Sequence, residues 1–343
     1  MKKIILLMSV LAVFLAVFLI FKDKGKEEAF SEDVKPQVNY SKKNTPDPKP
    51  EFLREHPDSI PKMAKKEYSG ENLKLFKVLD NNNAYTRHSI TYQSEGFTIS
   101  GIMNIPKGEG PFPILILNHG YIDPEVYTNG QGLKREQDFF ARHGYAVLHS
   151  DYRNHAYSDF DPNNEIRPRA GYVEDVINAT RALKKSDLEM IDRSKIGMLG
   201  HSMGGGVTLN VMVIKPEIAQ AYALLAPIHS DYKVNFNKWV VSDWSQTAKE
   251  FVDLYGKPEE NPELWDTLSA KNYFNRVSSP IILHQGEADN QVPVAWSQEL
   301  SKMLKSARKD IRYFEYPEEG HTFYSAQSMV MQRTLDFFNE HLN

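Results

Sequence analysis

The sequence predicts an α/β fold in which helices cover both faces of a doubly wound, mostly parallel sheet. Short apolar runs, typical of buried strands, alternate with longer helical segments between residues 113 and 226. Apolar runs nearer the N-terminus are separated by polar turns, which is the pattern of antiparallel strands. The chain has 343 residues, enough for one large domain with an appendage.

The predicted elements follow in chain order. Antiparallel strands at 73–78, 89–92 and 97–102 are expected to form the N-terminal edge of the sheet. Strands and helices then alternate: strand 113–118, helix 131–143, strand 145–150, helix 171–185, strand 195–200, helix 203–214, strand 221–226. Two further strands are predicted at 280–285 and 311–316.

Residues 1–21 are predicted to be an N-terminal membrane anchor or signal segment. Two lysines precede residues 4–21, which are apolar except for Ser9. Because the apolar run continues into Lys22 without the small residues of a cleavage site, we expect an uncleaved anchor with the large domain outside the cytoplasm. The alternative is secretion after signal cleavage. Residues 22–72, with few apolar residues and several prolines, are predicted to be a polar linker.

Composition excludes several classes of function. The net charge is −4 and no basic stripe is present, which argues against a nucleic-acid partner. The chain has no cysteine, so disulfides, a thiolate nucleophile and cysteine-bound zinc are excluded. No histidine–acid pair has convincing metal-ligand spacing on a helix. We therefore expect no cofactor and no metal, and the oligomeric state stays open.

The stretch Gly200-His201-Ser202-Met203-Gly204 is a Gly-x-Ser-x-Gly motif with a predicted strand before it and a helix after it. Ser202 then falls at a tight turn where its hydroxyl is exposed above a helix N-terminus. Glycine is expected on both sides, because the close approach of backbone segments leaves no room for a Cβ atom. Ser202 is the candidate nucleophile.

A serine nucleophile needs a base that an acid orients. Asp289 lies in the loop after the strand at 280–285, and His321 lies in the loop after the strand at 311–316. The chain order serine, aspartate, histidine fits the motif at Ser202. Asp231 is a reserve candidate for the acid, whereas Asp175 lies on a crossover helix and is expected to face solvent.

The backbone N–H groups of Tyr121 and Met203 are the predicted oxyanion-hole donors. The strand at 113–118 runs into His119-Gly120-Tyr121, where the glycine lets the backbone turn an amide toward the site. His119 is interpreted as a structural, hydrogen-bonded histidine rather than a second base. The Tyr121 ring is an alternative wall of the acyl pocket.

These motifs resemble the α/β-hydrolase superfamily over residues 73–343, in the branch shared by prolyl oligopeptidase-type peptidases and dienelactone hydrolase-like esterases. The resemblance rests on the His-Gly turn, Asp151–His155, the Ser202 motif, Gly286–Pro293 and Glu319–Phe323. The sequence departs from relatives in having His-Gly-Tyr for the common His-Gly-Gly, and Asn154 where an Arg-Gly pair is common.

The resemblance implies a cap insertion between strands 6 and 7 of that fold, at about residues 229–279. Most of its aromatic residues are expected to bury the cap against the domain: Tyr232, Phe236, Trp239, Trp244, Phe251, Tyr255, Trp265. It also implies a serine hydrolase acting on carboxylic esters through an acyl-enzyme, with a small-molecule ester or short peptide as substrate. Alternatives are a prolyl oligopeptidase-like peptidase, disfavoured because no propeller fits before residue 73, and a non-catalytic binding protein on the same scaffold.

Overall fold

The computed structural model describes residues 56–243 and 245–342. The predicted membrane segment at 1–21 and residues 22–55 of the predicted linker lie outside these ranges. Among the described helices, none is long and apolar enough to cross a bilayer.

One nine-stranded sheet organises the described residues. Its strands are β1 Glu71–Asn81, β2 Tyr85–Ser94, β3 Phe97–Pro106, β4 Phe112–Asn118, β5 Ala146–Ser150, β6 Ile191–His201, β7 Ala221–Leu225, β8 Ile281–Gly286 and β9 Ile311–Tyr316. The strand order is β1-β2-β3-β5-β4-β6-β7-β8-β9. Pairing is antiparallel from β1 through β3 to β5 and parallel from β5 to β9. The predicted doubly wound sheet with an antiparallel N-terminal edge is confirmed.

Helices cover both faces of this sheet. They are α1 Ile60–Lys65, α2 Lys134–Arg142, α3 Ala170–Lys185, α4 Met203–Ile214, α5 Tyr232–Asn235, α6 Val241–Asp243, α7 Ser245–Tyr255, α8 Pro262–Thr267, α9 Val294–Ser306 and α10 Gln327–Leu342. Side chains of α1, α3, α4 and α9 share one apolar core, and those of α2 and α10 share the other. Helix α2, predicted to begin at residue 131, begins at Lys134 because Gly130 and Gly132 have φ angles of 72° and 83°.

Successive side chains along a strand point to opposite faces of the sheet and therefore enter different apolar cores. On β4, Ile114 and Ile116 belong to the core under α3 and α4, while Leu115 and Leu117 belong to the core under α2 and α10. A strand covered on both faces is apolar at most positions, which explains the nearly continuous apolar runs in the sequence.

Residues 56–70 pack on the domain, although the sequence predicted a polar linker as far as residue 72. Ser59 caps α1 through a hydrogen bond from the Lys62 N–H (3.4 Å). Three well-separated apolar side chains of this segment are buried in the core of the domain: Ile60, Met63 and Tyr68. Because these side chains pack into the core of the domain, the domain begins by residue 56 rather than at residue 73.

The cap insertion predicted at about 229–279 lies between β7 and β8. Its helices enclose an apolar core of their own, formed by Tyr232, Phe236, Val240, Ala248, Phe251, Tyr255, Leu264, Trp265 and Leu268. The ring of Phe251 lies 4.2 Å from that of Tyr255, centroid to centroid. The cap also contacts the N-terminal segment, since the Tyr255 hydroxyl donates to Asp58 (2.8 Å). Trp244 lies outside the described residues.

Asp175 is fully buried, and the expectation that it faces solvent is wrong. The guanidinium of Arg153 binds its carboxylate at 2.9 Å and also contacts Asp161 (2.9 Å) and Glu174 (3.2 Å). Helical spacing could not reveal that an arginine from the loop after β5 lies under this face of α3. Removing one partner of such a buried cluster typically costs several kcal/mol, roughly 3–5.

Candidate active site

Ser202 is the single residue between β6 and α4, at the carboxyl edge of the parallel strands. Its φ and ψ angles are 55° and −120°, a conformation that is unfavourable for a residue with a Cβ atom. Its N–H donates to the Leu225 carbonyl (2.9 Å), and its own carbonyl accepts from the N–H groups of Gly206 (3.2 Å) and Ile228 (3.1 Å). Neighbouring segments therefore hold this residue in the strained turn that the motif predicted.

Gly200 and Gly204 permit this turn because other backbone segments lie where a side chain would be. A Cβ atom at Gly204 would lie 2.0 Å from the Asn118 carbonyl oxygen, and one at Gly200 would lie 2.3 Å from the Gly204 carbonyl oxygen. Contacts this short are not tolerated between non-bonded atoms. Gly204 is thus required by the packing of β4 against the start of α4, and Gly200 by the close approach of α4 to the end of β6, as the sequence indicated.

Asp289 and His321 lie in adjacent loops, because β8 and β9 are parallel neighbours whose carboxyl ends meet at the same edge of the sheet. His321 Nδ1 lies 2.7 Å from Asp289 Oδ2. Both side chains are buried. The structure therefore brings the predicted acid and the predicted base into direct contact.

The Asp289 carboxylate accepts hydrogen bonds at both oxygens. Oδ1 accepts from the backbone N–H groups of Gln291 (2.8 Å) and Val292 (2.9 Å), and Oδ2 also accepts from the Gln285 side chain (3.1 Å). Burial opposes the charged form, but the bonds from His321 and from these N–H groups outweigh it and lower the pKa of Asp289. The carboxylate is therefore ionised and fixed in place at neutral pH.

Ser202 and His321 line one cavity of about 710 Å³, a volume typical of small-molecule sites. Most of its wall is apolar, contributed by Tyr121, Ile122, Leu133, Met203, Leu225, Ile228, Trp239 and Phe323. Trp239 belongs to the cap, so the cap forms part of this wall.

The two predicted oxyanion donors, Tyr121 and Met203, also line the cavity. Met203 is the first residue of α4, next to Ser202. A Cβ atom at Gly120 would lie 3.1 Å from Ser202 Cβ, so the turn after β4 passes directly beside the candidate nucleophile. Both predicted donors thus belong to segments that border Ser202.

His119 is fully buried. Its Nδ1 lies 2.7 Å from the Gly120 carbonyl oxygen, and its ring stacks on Tyr152 and Tyr127 at 4.4 and 5.0 Å. Burial, with a smaller contribution from His155, lowers the pKa of His119 to about 3. The structural role interpreted from the sequence agrees with these contacts.

Asp231, the reserve candidate for the acid, makes its contacts within the cap. It caps α5 by accepting from the Lys233 N–H (3.0 Å), and it binds Ser269 (3.1 Å) and Lys271 (2.6 Å). Asp289 is therefore the acid that contacts His321. Within residues 56–243 and 245–342, no three His, Asp or Glu side chains converge in an arrangement able to hold a metal ion.

His201 is a site residue that sequence reasoning missed. Its Nε2 lies 2.9 Å from the His321 carbonyl oxygen, and the two rings are 4.6 Å apart. Burial, together with the neighbouring His321, lowers the pKa of His201 to about 4. A neutral ring donating through Nε2 ties the turn at Ser202 to the loop of His321. The only indication in the sequence was that His201 directly precedes Ser202, at a variable position of the Gly-x-Ser-x-Gly motif.

Comparison with known proteins assigns this chain to a family. The sequence profile of the prolyl oligopeptidase family matches residues 131–343, more than half of the chain. Dipeptidyl aminopeptidase BIII of Pseudoxanthomonas mexicana is 25% identical over 225 residues, covering 64% of this chain and 32% of that protein. Esterase EstD of Thermotoga maritima is 25% identical over 265 residues, covering 69% of this chain and 61% of that protein.

Solved structures of other proteins share the fold. Acetyl xylan esterase 1 of a Thermoanaerobacterium species superposes with a TM-score of 0.63 at 18% identity, covering 85% of this chain and 94% of that one. The chain spans about a third of the length of the dipeptidyl aminopeptidase.

The sheet order, the strained serine turn and the adjacent acid–histidine pair are those of a serine hydrolase with the α/β-hydrolase fold. The predicted resemblance is confirmed. The chain belongs to the prolyl oligopeptidase family, and its relatives include both peptidases and esterases.

Proposed function

We propose that this protein hydrolyses carboxylic esters through an acyl-enzyme formed on Ser202. The observation that carries the proposal is one cavity lined by both Ser202, at its strained turn, and His321, hydrogen-bonded to Asp289. A nucleophile beside an oriented base is the arrangement that acyl transfer requires.

In the first half of the reaction, Ser202 Oγ attacks the ester carbonyl carbon while His321 Nε2 takes the hydroxyl proton. The tetrahedral intermediate then collapses, and His321 returns that proton to the leaving alcohol. In the second half, water attacks the acyl-enzyme with His321 again as base, which releases the carboxylic acid and restores Ser202. Asp289 holds Nδ1 protonated and stabilises the imidazolium that forms at each step.

The developing negative charge on the carbonyl oxygen needs donors that are already in place. The backbone N–H groups of Tyr121 and Met203 are proposed for this role, because both residues line the cavity beside Ser202. Removal of one such donor in other hydrolases reduces kcat by about 10²–10³.

Ester cleavage is favoured over peptide cleavage by the size and character of the cavity. It is mostly apolar, and Trp239 of the cap supplies part of its wall. This enclosure suits a small apolar acyl group better than an extended peptide. Similarity to an esterase supports the same reading, while similarity to a dipeptidyl aminopeptidase keeps small-peptide cleavage as the second candidate.

The test is hydrolysis of 4-nitrophenyl esters of increasing acyl length, alongside aminoacyl and dipeptidyl 4-nitroanilides, by the full-length chain. We expect ester turnover that falls by about 10⁴-fold or more in Ser202→Ala. The control is Ser306→Ala, an exposed serine on α9, which should retain wild-type turnover.

Anilide turnover that depends on Ser202 would move the assignment to a peptidase. Ester turnover that survives Ser202→Ala would contradict the proposed nucleophile. If neither substrate class is cleaved and a phosphonate probe fails to label Ser202, the non-catalytic alternative is supported.

A further inference from the structure

Asp58 of the N-terminal segment joins that segment to the cap. Its side chain is only 5% exposed, and an aspartate is rarely buried so far unless it is paired. Oδ2 accepts a hydrogen bond from the Tyr255 hydroxyl of the cap (2.8 Å), and Oδ1 accepts from Nε of Arg167 (2.9 Å). Both carboxylate oxygens therefore connect segments that are far apart in the sequence.

The two partners of Asp58 belong to two elements that border the active-site cavity. Arg167 lies in the loop between β5 and α3, two residues before Arg169, which is part of the cavity wall. Tyr255 is the last residue of α7 in the cap, and the cap contributes Trp239 to the same wall. Helix α7 also packs against residues 164–166 of the loop. Asp58 thus holds the cap against the loop from which another part of the wall is built.

Packed aromatic rings connect Tyr255 to the cavity wall. The ring centroid of Phe251 lies 4.2 Å from that of Tyr255 and 5.1 Å from that of Phe236. Phe236 begins the helical turn Phe236–Val240, which carries Trp239. Because protein interiors are close-packed, the position of Tyr255 limits the positions that these rings and this turn can occupy.

The bond between Tyr255 and Asp58 is of a strong kind. Burial, together with the negative charge of Asp58, raises the pKa of Tyr255, so the hydroxyl stays protonated and donates. A hydrogen bond to an ionised acceptor is roughly twice as strong as one between neutral groups. The Asp58 N–H donates to His56 Nδ1 (3.2 Å), and the His56 ring lies 4.5 Å from the Tyr255 ring. The backbone of Asp58 is therefore fixed beside the residue that it binds.

A second polar contact of the N-terminal segment does not involve the cap. Lys66 Nζ lies 2.6 Å from Glu95 at the end of β2 and 2.7 Å from Glu174 on α3. These ion pairs fasten the segment to the sheet and to α3. Loss of Lys66 therefore weakens the attachment of the segment without removing the bond to Tyr255.

We propose that Asp58 is a positioning residue whose bond to Tyr255 holds the cap wall of the cavity in place and thereby limits the length of the acyl group that the site accepts. A cap that moves away from the domain leaves more room beside Trp239, so longer acyl chains bind. The effect on acyl length rests on the proposed ester hydrolysis, whereas the effect on the cap does not. The competing reading is that Asp58 only stabilises the fold.

The test removes the bond from the side of the cap. Tyr255→Phe deletes the hydroxyl and keeps the ring that packs on Phe251. Asp58→Ala and the double variant complete a double-mutant cycle, and Lys66→Gln is the matched control from the same segment. Two quantities are measured with the full-length chain: kcat and KM for the acetyl and octanoyl 4-nitrophenyl esters, and hydrogen exchange of α7 by mass spectrometry.

We expect Tyr255→Phe to accelerate hydrogen exchange of α7 about fivefold, because one hydrogen bond fewer opposes local opening. The ratio of octanoyl to acetyl kcat/KM should rise about fivefold, through a lower KM for the octanoyl ester and with kcat for the acetyl ester unchanged. Adding Tyr255→Phe to Asp58→Ala should change the ratio no further, since both variants remove the same bond. Lys66→Gln should leave the ratio and the exchange of α7 at wild-type values.

If Tyr255→Phe lowers the free energy of unfolding but changes neither the ratio nor the exchange of α7, Asp58 only stabilises the fold and the inference is overturned. Equal changes in Tyr255→Phe and Lys66→Gln would also overturn it, because they would arise from general destabilisation. If the wild type cleaves no ester, the proposed function fails, and the exchange rates alone decide. Faster exchange of α7 in Tyr255→Phe but not in Lys66→Gln then supports the role of Asp58, and equal exchange contradicts it.

Discussion

His284 is buried at the centre of β8, and we predict that it makes the folded protein sensitive to acid. Its Nδ1 lies 2.7 Å from the Tyr316 hydroxyl and its Nε2 lies 3.1 Å from Thr334 Oγ1. Burial, together with the positive charge of Arg333, lowers the pKa of His284 to about 3. The ring therefore stays neutral at pH values where an exposed imidazole is already protonated.

The sign of the effect follows from comparing proton uptake in the two states. The unfolded chain binds a proton at this position below pH 6.5, whereas the folded chain does so only near pH 3. The stability that depends on the neutral ring is complete above pH 6.5 and is lost as the pH falls. Each pH unit in that window lowers the free energy of unfolding by about 1.4 kcal/mol, which makes about 5 kcal/mol in all.

The assay is urea unfolding of the full-length chain at half-unit steps from pH 7.5 to 4.5. His284→Gln keeps a hydrogen-bonding side chain without a titrating ring, and the same substitution at the exposed His143 serves as the control. The slope of unfolding free energy against pH should be smaller by about 1.4 kcal/mol per pH unit in His284→Gln alone. Equal slopes in wild type and His284→Gln between pH 6 and 5 would refute the reasoning.

Two further predictions concern the N-terminal segment and the cap. A chain that begins at residue 71 should have a free energy of unfolding about 5 kcal/mol below that of a chain beginning at residue 56, because the buried Ile60, Met63 and Tyr68 are lost. Urea unfolding measures this, and equal midpoints would show that the segment contributes nothing. Trp239→Ala should raise the kcat/KM for octanoyl relative to acetyl 4-nitrophenyl esters about tenfold, since Trp239 lines the cavity. An unchanged ratio of the two kcat/KM values would show that the acyl group does not bind against Trp239.

Most of the regular structure could be predicted from the sequence because its causes are local. Apolar runs predicted β4 to β8, since a strand covered on both faces is mostly apolar, whereas the edge strand β9, with Arg312 and Glu315, is only half-buried over most of its length. Boundaries were less accurate. The start of α2 was placed too early, because the positive φ angles near Gly132 are decided by packing against the turn after β4, where a Cβ atom would lie 2.9 Å from His119.

The candidate site could be located from the sequence because its residues lie in turns at the ends of strands, and such turns have recognisable sequence patterns. The glycines around Ser202 are required by a backbone approach that the motif encodes, and the positions of Asp289 and His321 follow from the rule that parallel strands end at one edge. Their hydrogen bond of 2.7 Å is the outcome of that rule.

The sequence by itself determined the alternation of strands and helices, the serine turn and the order of the three candidate site residues, because each depends on a few consecutive residues. The tertiary structure alone decided that Asp175 is buried against Arg153, that His201 contacts a residue 120 positions away, and that Trp239 of the cap lines the cavity. Burial and charge pairing depend on which distant segments meet, and local periodicity carries no information about those partners.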